Sequence, residues 1–486
     1  MVEETYKESY HKEMDSFVEQ KRQAVRLAGS VGNLLLDHAV ELVLFRNDLA
    51  DTSVSEKIQL MDYAKTVVNF PITVKDVSEL AAEMEKMNLA PAKIDIGRLA
   101  AEWLEKGSNF ASKREFLDDV LGNFSLDSSN KIEPRDVVLF GFGRIGRLVA
   151  RELIKQFGKG QQLRLRAIVT RSNDDATIIK RAALLRNDSV HGKFAGSIVE
   201  DLDNKQLIIN GQRVLMLGTK DAGSMDYESY GITNALMIDN TGIYKDKEAL
   251  SIHMRANGVS KVLLTAPGGG IPNIVYGINH FDLDLDAIDI YSAASCTTNA
   301  ISPVLKVVND GLGIEQGHVE TIHAYTNDQN LLDNMHKKPR RGRSAAINMV
   351  ITSTGAGKAV AKVIPELDGL LTANAVRVPT PNGSLAILKL KVKKDTSVEN
   401  INALLRDAAL TGNLVNQINY NMDPELVSND IIGNTCCSVY DSNATLVHSD
   451  GKNVVLYAWY DNEFGYVKQV IRLAKYIAKV RRLHYY

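Results

Sequence analysis

The chain has 486 residues, 45% hydrophobic and 24% charged, with a formal net charge of −2, the make-up of a globular protein long enough for about three domains. Its most apolar window, 31–45, is interrupted by Asp37, His38 and Glu41 and is too short to span a bilayer. The acidic first twenty residues are unlike a signal peptide, so no membrane association and a cytoplasmic location are expected.

Residues 1–133 hold 16 Lys/Arg against 24 Asp/Glu, a net of −8 that leaves +6 for the remainder. An acidic segment of this kind does not suit nucleic acid. It reads as an all-α extension, with helices expected over 13–48, 54–68, 74–87, 94–106 and 113–121. Gly29 and Gly32 are expected to break the first of these. Ser53 with Glu56 and Ser112 with Glu115 read as capping boxes. The Ser- and Asp-rich stretch 123–130 reads as a linker. No motif assigns this extension a role, and a helical bundle supporting the rest or a regulatory module both fit.

The first chemical signal is Gly141-Phe142-Gly143-Arg144-Ile145-Gly146. It follows the apolar run Val137-Val138-Leu139-Phe140, opens a helix-like stretch, and is followed by a second strand candidate, 163–170. Strand, glycine turn, helix and strand form the dinucleotide-binding context of a Rossmann fold. Gly141 permits the tight turn, Gly143 lets backbone approach a pyrophosphate, and Gly146 lets helix and strand pack closely.

The second signal is Ser295-Cys296-Thr297-Thr298-Asn299, with His323 27 residues beyond the cysteine. A β-rich run precedes Cys296 and a helix-like run follows, which places the thiol at a helix N-terminus, where the dipole favours thiolate. A histidine brought alongside could pair with it and shuttle protons. The other cysteines, Cys436 and Cys437, read as buried and inert; the three together make neither a disulfide framework nor a metal site, and no metal is expected.

From about Pro134 onward the chain resembles the phosphorylating glyceraldehyde-3-phosphate dehydrogenases. The resemblance rests on the glycine motif, Asp188-Ser189-Val190-His191, Ala294 to Asn299, His323, Ser353-Thr354-Gly355-Ala356, Arg377-Val378-Pro379-Thr380-Pro381-Asn382 and Trp459-Tyr460-Asp461-Asn462-Glu463-Phe464-Gly465-Tyr466, in family order. It implies an α/β fold: a Rossmann NAD(P)-binding domain over 134–294, an α+β catalytic domain over 295–461, and a C-terminal segment 462–486 whose helix, 466–482, packs back on the first. It implies Cys296 as nucleophile and His323 as acid–base partner. Glyceraldehyde 3-phosphate and inorganic phosphate are the implied substrates and a homotetramer the implied assembly. Thr326 and Arg377 are implied to hold the substrate phosphate, and Ser295, Thr297, Thr354 and Gly355 the attacking one. Gly141, Gly143, Arg144, Ile145, Gly146, Arg171, Thr241, Gly242, Thr265 and Asn462 are implied to hold the cofactor.

Several positions depart from the family pattern. Arg171 and Ser172 stand where NAD-dependent members carry an acid, and Asn334-Met335 replaces a Leu-Pro, so NADP or dual use is expected. The lengthened loop 156–162 leaves a second register, with Asp174 or Asp175 on the ribose. Asp328 is expected to orient Arg377. Phe140 replaces an asparagine. The basic run Lys337-Lys338-Pro339-Arg340-Arg341-Gly342-Arg343 falls in the family's S-shaped loop at a subunit interface rather than marking nucleic-acid contact. Two rival readings are an erythrose-4-phosphate dehydrogenase, whose phosphate loop does not resemble Ser353 to Lys358, and a sensor acting through the helical extension.

Overall fold

The computed structural model describes residues 2–126 and 132–486. One compact unit comprises residues 1–134, 156–162 and 480–486; the other comprises 135–155 and 163–479.

The first unit opens with a single helix, α1 (Val2–His38). Gly29 and Gly32 do not break it; each lies inside with open space where a Cβ would stand. Nor does it run to residue 48. Ala39 adopts φ 57°, the left-handed step that ends helices more often at glycine, and the chain enters β1 (Val40–Leu44) and β2 (Asn47–Asp48). Phe45 and Arg46 form the hairpin loop with φ 43° and 73°, a conformation Asn-Gly takes more readily. The fully buried Asp95 carboxylate offsets that strain. It accepts from Phe45 N–H at 2.8 Å, Arg46 N–H at 3.2 Å, Arg98 N–H at 3.1 Å and the Arg46 guanidinium at 2.5 Å.

Then follow α2 (Val54–Thr66), α3 (Val74–Met84), β3 (Ala92–Asp95), α4 (Ile96–Lys106) and α5 (Lys113–Val120). The Ser53–Glu56 box forms in full. Ser112 caps α5, but Glu115 reaches back to Ala111 N–H instead. An unforeseen box joins Thr73 and Asp76. The expectation of an all-α extension is therefore corrected: its helices surround a four-stranded sheet, β2-β1-β3 and the C-terminal strand Leu483–Tyr485, the last parallel to β3. The helix expected to reach residue 482 stops at Ile477. Arg482 is buried and donates to the Gly160 carbonyl at 2.7 Å. A Cβ on Gly160 would stand 2.3 Å from that of Ala39, so the lengthened loop serves this unit as a close-packed part. Leu27, Leu34, Leu42, Leu80, Leu99 and Phe116 lead its core. Part of the expected linker is ordered, since Phe124 accepts from Ala90 N–H at 2.7 Å and Leu126 N–H donates to Asn88 at 3.0 Å; residues 127–130 lie outside the described residues.

The second unit begins with β4 (Arg135–Phe140), α6 (Arg144–Ile154), β5 (Leu163–Thr170) and α7 (Asp175–Arg186). A small ribbon, β6 (Asn187–Asp188) and β7 (Gly192–Lys193), precedes β8 (Ile198–Asp201), β9 (Gln206–Ile209), β10 (Gln212–Gly218) and β11 (Ala235–Asp239). After the short α8 (Lys247–Leu250) come β12 (Val259–Leu264) and β13 (Ile290–Ser292). They form one sheet of order β13-β12-β11-β4-β5-β10-β9-β8, parallel from β13 to β10. Of the parallel strands, β11 and β13 are wholly buried and β4 is buried but for its ends, as parallel strands under helices should be.

A second sheet follows α9 (Cys296–Leu312): β14 (Ile314–Ala324), β15 (Val350–Ser353), α10 (Ala356–Ala361), β16 (Leu371–Val378) and β17 (Ser384–Val392). It is completed by α11 (Val398–Leu410), β18 (Ile418–Asn421), β19 (Ser438–Asp441), β20 (Leu446–Val447) and β21 (Asn453–Tyr460). The order is β15-β16-β14-β17-β21-β19-β18, mixed in direction. The last helix, α12 (Phe464–Ile477), packs on α6, where Lys468 Nζ lies 3.0 Å from Glu152. No helix among the described residues is long and apolar enough to cross a membrane.

Candidate active site

Gly141, at φ 91°, makes the turn between β4 and α6, and a Cβ there would meet the Thr241 methyl at 2.9 Å. A Cβ on Gly146 would strike the Gly141 carbonyl at 2.6 Å, whereas one on Gly143 would meet nothing within 4 Å. Gly143 caps α6 without any side-chain bond, so the first amides of the helix face an open cradle. That is the donor set a dinucleotide's pyrophosphate requires. Beside it, at the end of β11, Asp239 accepts from Thr241 N–H at 2.8 Å and Thr241 Oγ1 at 2.7 Å, and its carbonyl accepts from Thr265 N–H and Oγ1 at 3.0 Å each. His253 completes the buried pair with Asp239 at 2.8 Å, and the Phe140 ring packs edge-on against it at 4.7 Å.

Arg171 is exposed immediately beyond β5. The alternative ribose acids are already engaged. Asp174 caps α7 by accepting from Thr177 N–H at 2.9 Å, and bonds to the Ser172 and Thr177 hydroxyls hold its carboxyl down to about 2. Asp175 pairs with Lys205 at 2.5 Å.

Ser295 Oγ accepts from Thr298 N–H at 3.0 Å, capping α9 and making Cys296 its first residue. Cys296 Sγ lies 3.6 Å from His323 Nε2. His323 sits near the end of β14, and Arg377 is its register partner on β16. One guanidinium nitrogen, Arg377 Nη1, lies 2.7 Å from His323 Nδ1 and 2.8 Å from the Ala324 carbonyl, which is itself 2.7 Å from Nδ1. Nδ1 cannot both donate to that carbonyl and accept from Arg377. Two hydrogens on Nη1 satisfy both acceptors if Nδ1 accepts, and the proton of the neutral ring is then assigned to Nε2, facing the thiol.

Burial and then the Arg377 charge hold His323 down to about 3, so the ring is neutral. Burial pushes the Cys296 thiol up, and the nearby Arg377 only partly opposes this. Desolvation thus opposes the thiolate bias expected of a helix N-terminus. Cys436 and Cys437 are buried and form no disulfide among the described residues.

Residues 135–247 match the family model for the glyceraldehyde 3-phosphate dehydrogenase NAD binding domain, and residues 295–462 the model for the C-terminal domain. The chain belongs to the glyceraldehyde-3-phosphate dehydrogenase family. It is 50% identical over 414 residues (84% of this chain, 88% of the other) to a glyceraldehyde-3-phosphate dehydrogenase-like protein of Pseudomonas aeruginosa. It is 39% identical over 345 residues (71% and 98%) to the glyceraldehyde-3-phosphate dehydrogenase of Zymomonas mobilis. It is also 39% identical over 340 residues (70% and 97%) to glyceraldehyde-3-phosphate dehydrogenase 1 of Bacillus subtilis. The Pseudomonas match is longer than the 353 residues from Pro134 to Tyr486, so that likeness reaches into the N-terminal unit.

As a member of this family the chain is an oxidoreductase with a Rossmann-type NAD-binding domain. Most of the residues expected to hold anions are engaged by neighbouring groups. Ser295 is the α9 cap, Thr297 Oγ1 is 3.1 Å from the Tyr460 hydroxyl, and Thr354 Oγ1 accepts from Ala356 N–H at 3.3 Å. Gly355 keeps open space where a Cβ would stand. Thr326 follows β14 in a partly exposed turn, where its carbonyl accepts from Gln329 N–H at 2.9 Å. Asp328 does not orient Arg377; it pairs with Arg341, because Arg377 is drawn to His323. Asn462 Oδ1 accepts from Ser384 Oγ at 2.8 Å, which sets the face its amide presents. Arg144 is clamped by Glu463 at 2.5 Å, and Glu463 also lies 3.0 Å from His191. In the basic loop, Arg343 pairs with Asp333 at 2.8 Å and Arg341 Nε donates to Thr352 at 3.0 Å.

Two participants gave no distinct signal beforehand. The buried Tyr460 hydroxyl lies 2.6 Å from Thr321 Oγ1, and its ring stands edge-on to His323 with centroids 5.9 Å apart. The Ala324 carbonyl, being backbone, has no sequence signature at all.

Proposed function

We propose that the chain oxidises D-glyceraldehyde 3-phosphate and phosphorylates the product to 1,3-bisphosphoglycerate, with Cys296 as nucleophile and His323 as its proton carrier. The observation that carries this reading is the 3.6 Å approach of Cys296 Sγ to His323 Nε2 beside the half-buried Arg377. The substrate phosphate, held by Arg377 and Thr326, draws the guanidinium off Nδ1. The ring then exchanges its proton with solvent, giving up the one on Nε2 and taking one on Nδ1, which donates to the Ala324 carbonyl and leaves the Nε2 lone pair facing the thiol. Cys296 loses its proton to Nε2 and adds to the aldehyde carbon, forming a C–S bond and a hemithioacetal. His323 returns that proton to the new alkoxide and takes it back as the carbon gives up hydride. The nicotinamide, when bound, supplies the hydride acceptor. The resulting Cys296 thioester is attacked by inorganic phosphate held by Ser295, Thr297, Thr354 and Gly355; the C–S bond breaks and the thiolate leaves.

The cofactor is held by Gly141, Gly143, Ile145, Gly146 and the amides opening α6, by Thr241, Gly242 and Thr265, and by Asn462 at the carboxamide. Arg144 acts through its bond to Glu463. Arg171 is suited to a 2′-phosphate, so both NAD and NADP are used. Residues 134–294 with α12 serve as the cofactor domain and 295–461 as the catalytic domain. A cytoplasmic location fits three cysteines that form no disulfide among the described residues, and a homotetramer is supported by Leu331, Leu332, Met335, Ile347 and Met349, each more than 70% exposed in one chain. Steady-state oxidation of glyceraldehyde 3-phosphate with NAD and with NADP, each with and without phosphate, tests the reading. Strict phosphate dependence and use of both cofactors are expected; no turnover with either cofactor would refute it.

A further inference from the structure

We propose that the first half of α1 is a self-association surface, on which the same segment of a second copy of this chain packs antiparallel. Every residue from 9 to 22 is exposed, while from residue 23 onward one face of the helix, with Ala24, Leu27, Val31 and Leu34, is buried in its own unit. The exposed half is nevertheless amphipathic. Tyr10, Met14, Phe17, Val18 and Val25 are 39% to 59% exposed and lie within an arc of about 100° at helical spacing. Lys21 holds its ammonium 5.5 Å over the Phe17 ring at the centre of this stripe. Helix α1 thus carries two apolar faces, one covered by its own unit and one wetted along about 20 Å of helix. A helical stretch of this length with no tertiary packing is marginal in water, so a covering partner stabilises it.

The charges name the occupant. After Lys12, the acids Glu13, Asp15 and Glu19 precede the bases Lys21, Arg22 and Arg26, and Glu19 lies 3.5 Å from Arg22 of its own helix on the side away from the stripe. A parallel copy in register would set acid against acid and base against base. An antiparallel copy centred near Val18 sets Asp15, which flanks the stripe on the same side as Arg22, close to Arg22 of the second copy, brings Tyr10 opposite Val25 of the second copy, and opposes the helix dipoles. The contact is two-fold and self-complementary, as a closed pairing of identical chains requires.

The test uses the full-length double variant Tyr10→Cys/Val25→Cys, oxidised mildly and digested, with the disulfide-linked peptides identified by mass spectrometry. Positions 10 and 25 are about 22 Å apart along one helix, so a link between them must join two chains. The expected product is the 10–25 link. Predominant 10–10 and 25–25 links, or no links between these positions, would overturn the proposal. In parallel, Phe17→Glu in the full chain is expected to lower the sedimenting mass with dehydrogenase activity retained; an unchanged mass counts against the surface.

Discussion

The two units treat their buried charges in opposite ways. In the N-terminal unit the buried Asp95 meets four donors, and half-buried Lys93 bridges Glu41 at 2.7 Å and Asp48 at 2.8 Å. In the catalytic unit, Arg377 Nε and Asn299 Oδ1 are buried without a protein partner, a thiol is pushed up, and a histidine is held neutral beside a cation. A fully satisfied network specifies a shape; an under-satisfied one has bonding capacity left for a ligand. The first unit therefore reads as architecture and the second as chemistry.

Substitutions at the reacting pair should move activity and leave both folds intact. Cys296→Ser is expected to lower kcat by at least about a thousandfold, with unchanged thermal unfolding. His323→Gln should cost roughly 10²–10⁴ in kcat, and rapid-quench kinetics should show thioester formation slowed.

Deleting residues 480–486 makes the converse cut. It removes the strand along β3, the Arg482 bond to Gly160, and the packing of Leu483 and Tyr485. A loss of about 3–5 kcal/mol is expected in the N-terminal unit alone, visible as an early unfolding step in denaturant that the catalytic unit does not share.

Acid should act on the catalytic side. His323, at about 3 when folded against 6.5 ordinarily, binds its proton more readily unfolded. Its contribution is therefore complete above about pH 6.5 and lost as the pH falls toward about 3. Denaturant titrations across that window should show the slope reduced in His323→Gln. The smallest effect is Thr73→Ala, which removes the cap of α3 and should cost the N-terminal unit about 1 kcal/mol with no change in activity.

How far the sequence could be read follows the same division. The glycine turn and the Cys296–His323 spacing were legible because each chemical demand admits few residue types. The hairpin at Phe45-Arg46 was not, since its left-handed backbone is held by Asp95 from 50 residues away and carries no glycine. Ala39 hid the end of α1 for the same reason. The C-terminal strand was missed because its sheet is completed by β1 and β3, nearly 400 residues earlier in the chain. In the site itself, the seat of Arg377 on His323 follows from strand register, which composition and spacing do not encode.

The most direct test is to mix the enzyme with glyceraldehyde 3-phosphate and cofactor in the absence of phosphate, quench in acid, and measure intact and peptide masses. The account predicts a phosphoglyceroyl adduct confined to the peptide bearing Cys296, discharged on adding phosphate before the quench. Turnover that leaves Cys296 unmodified throughout would contradict it.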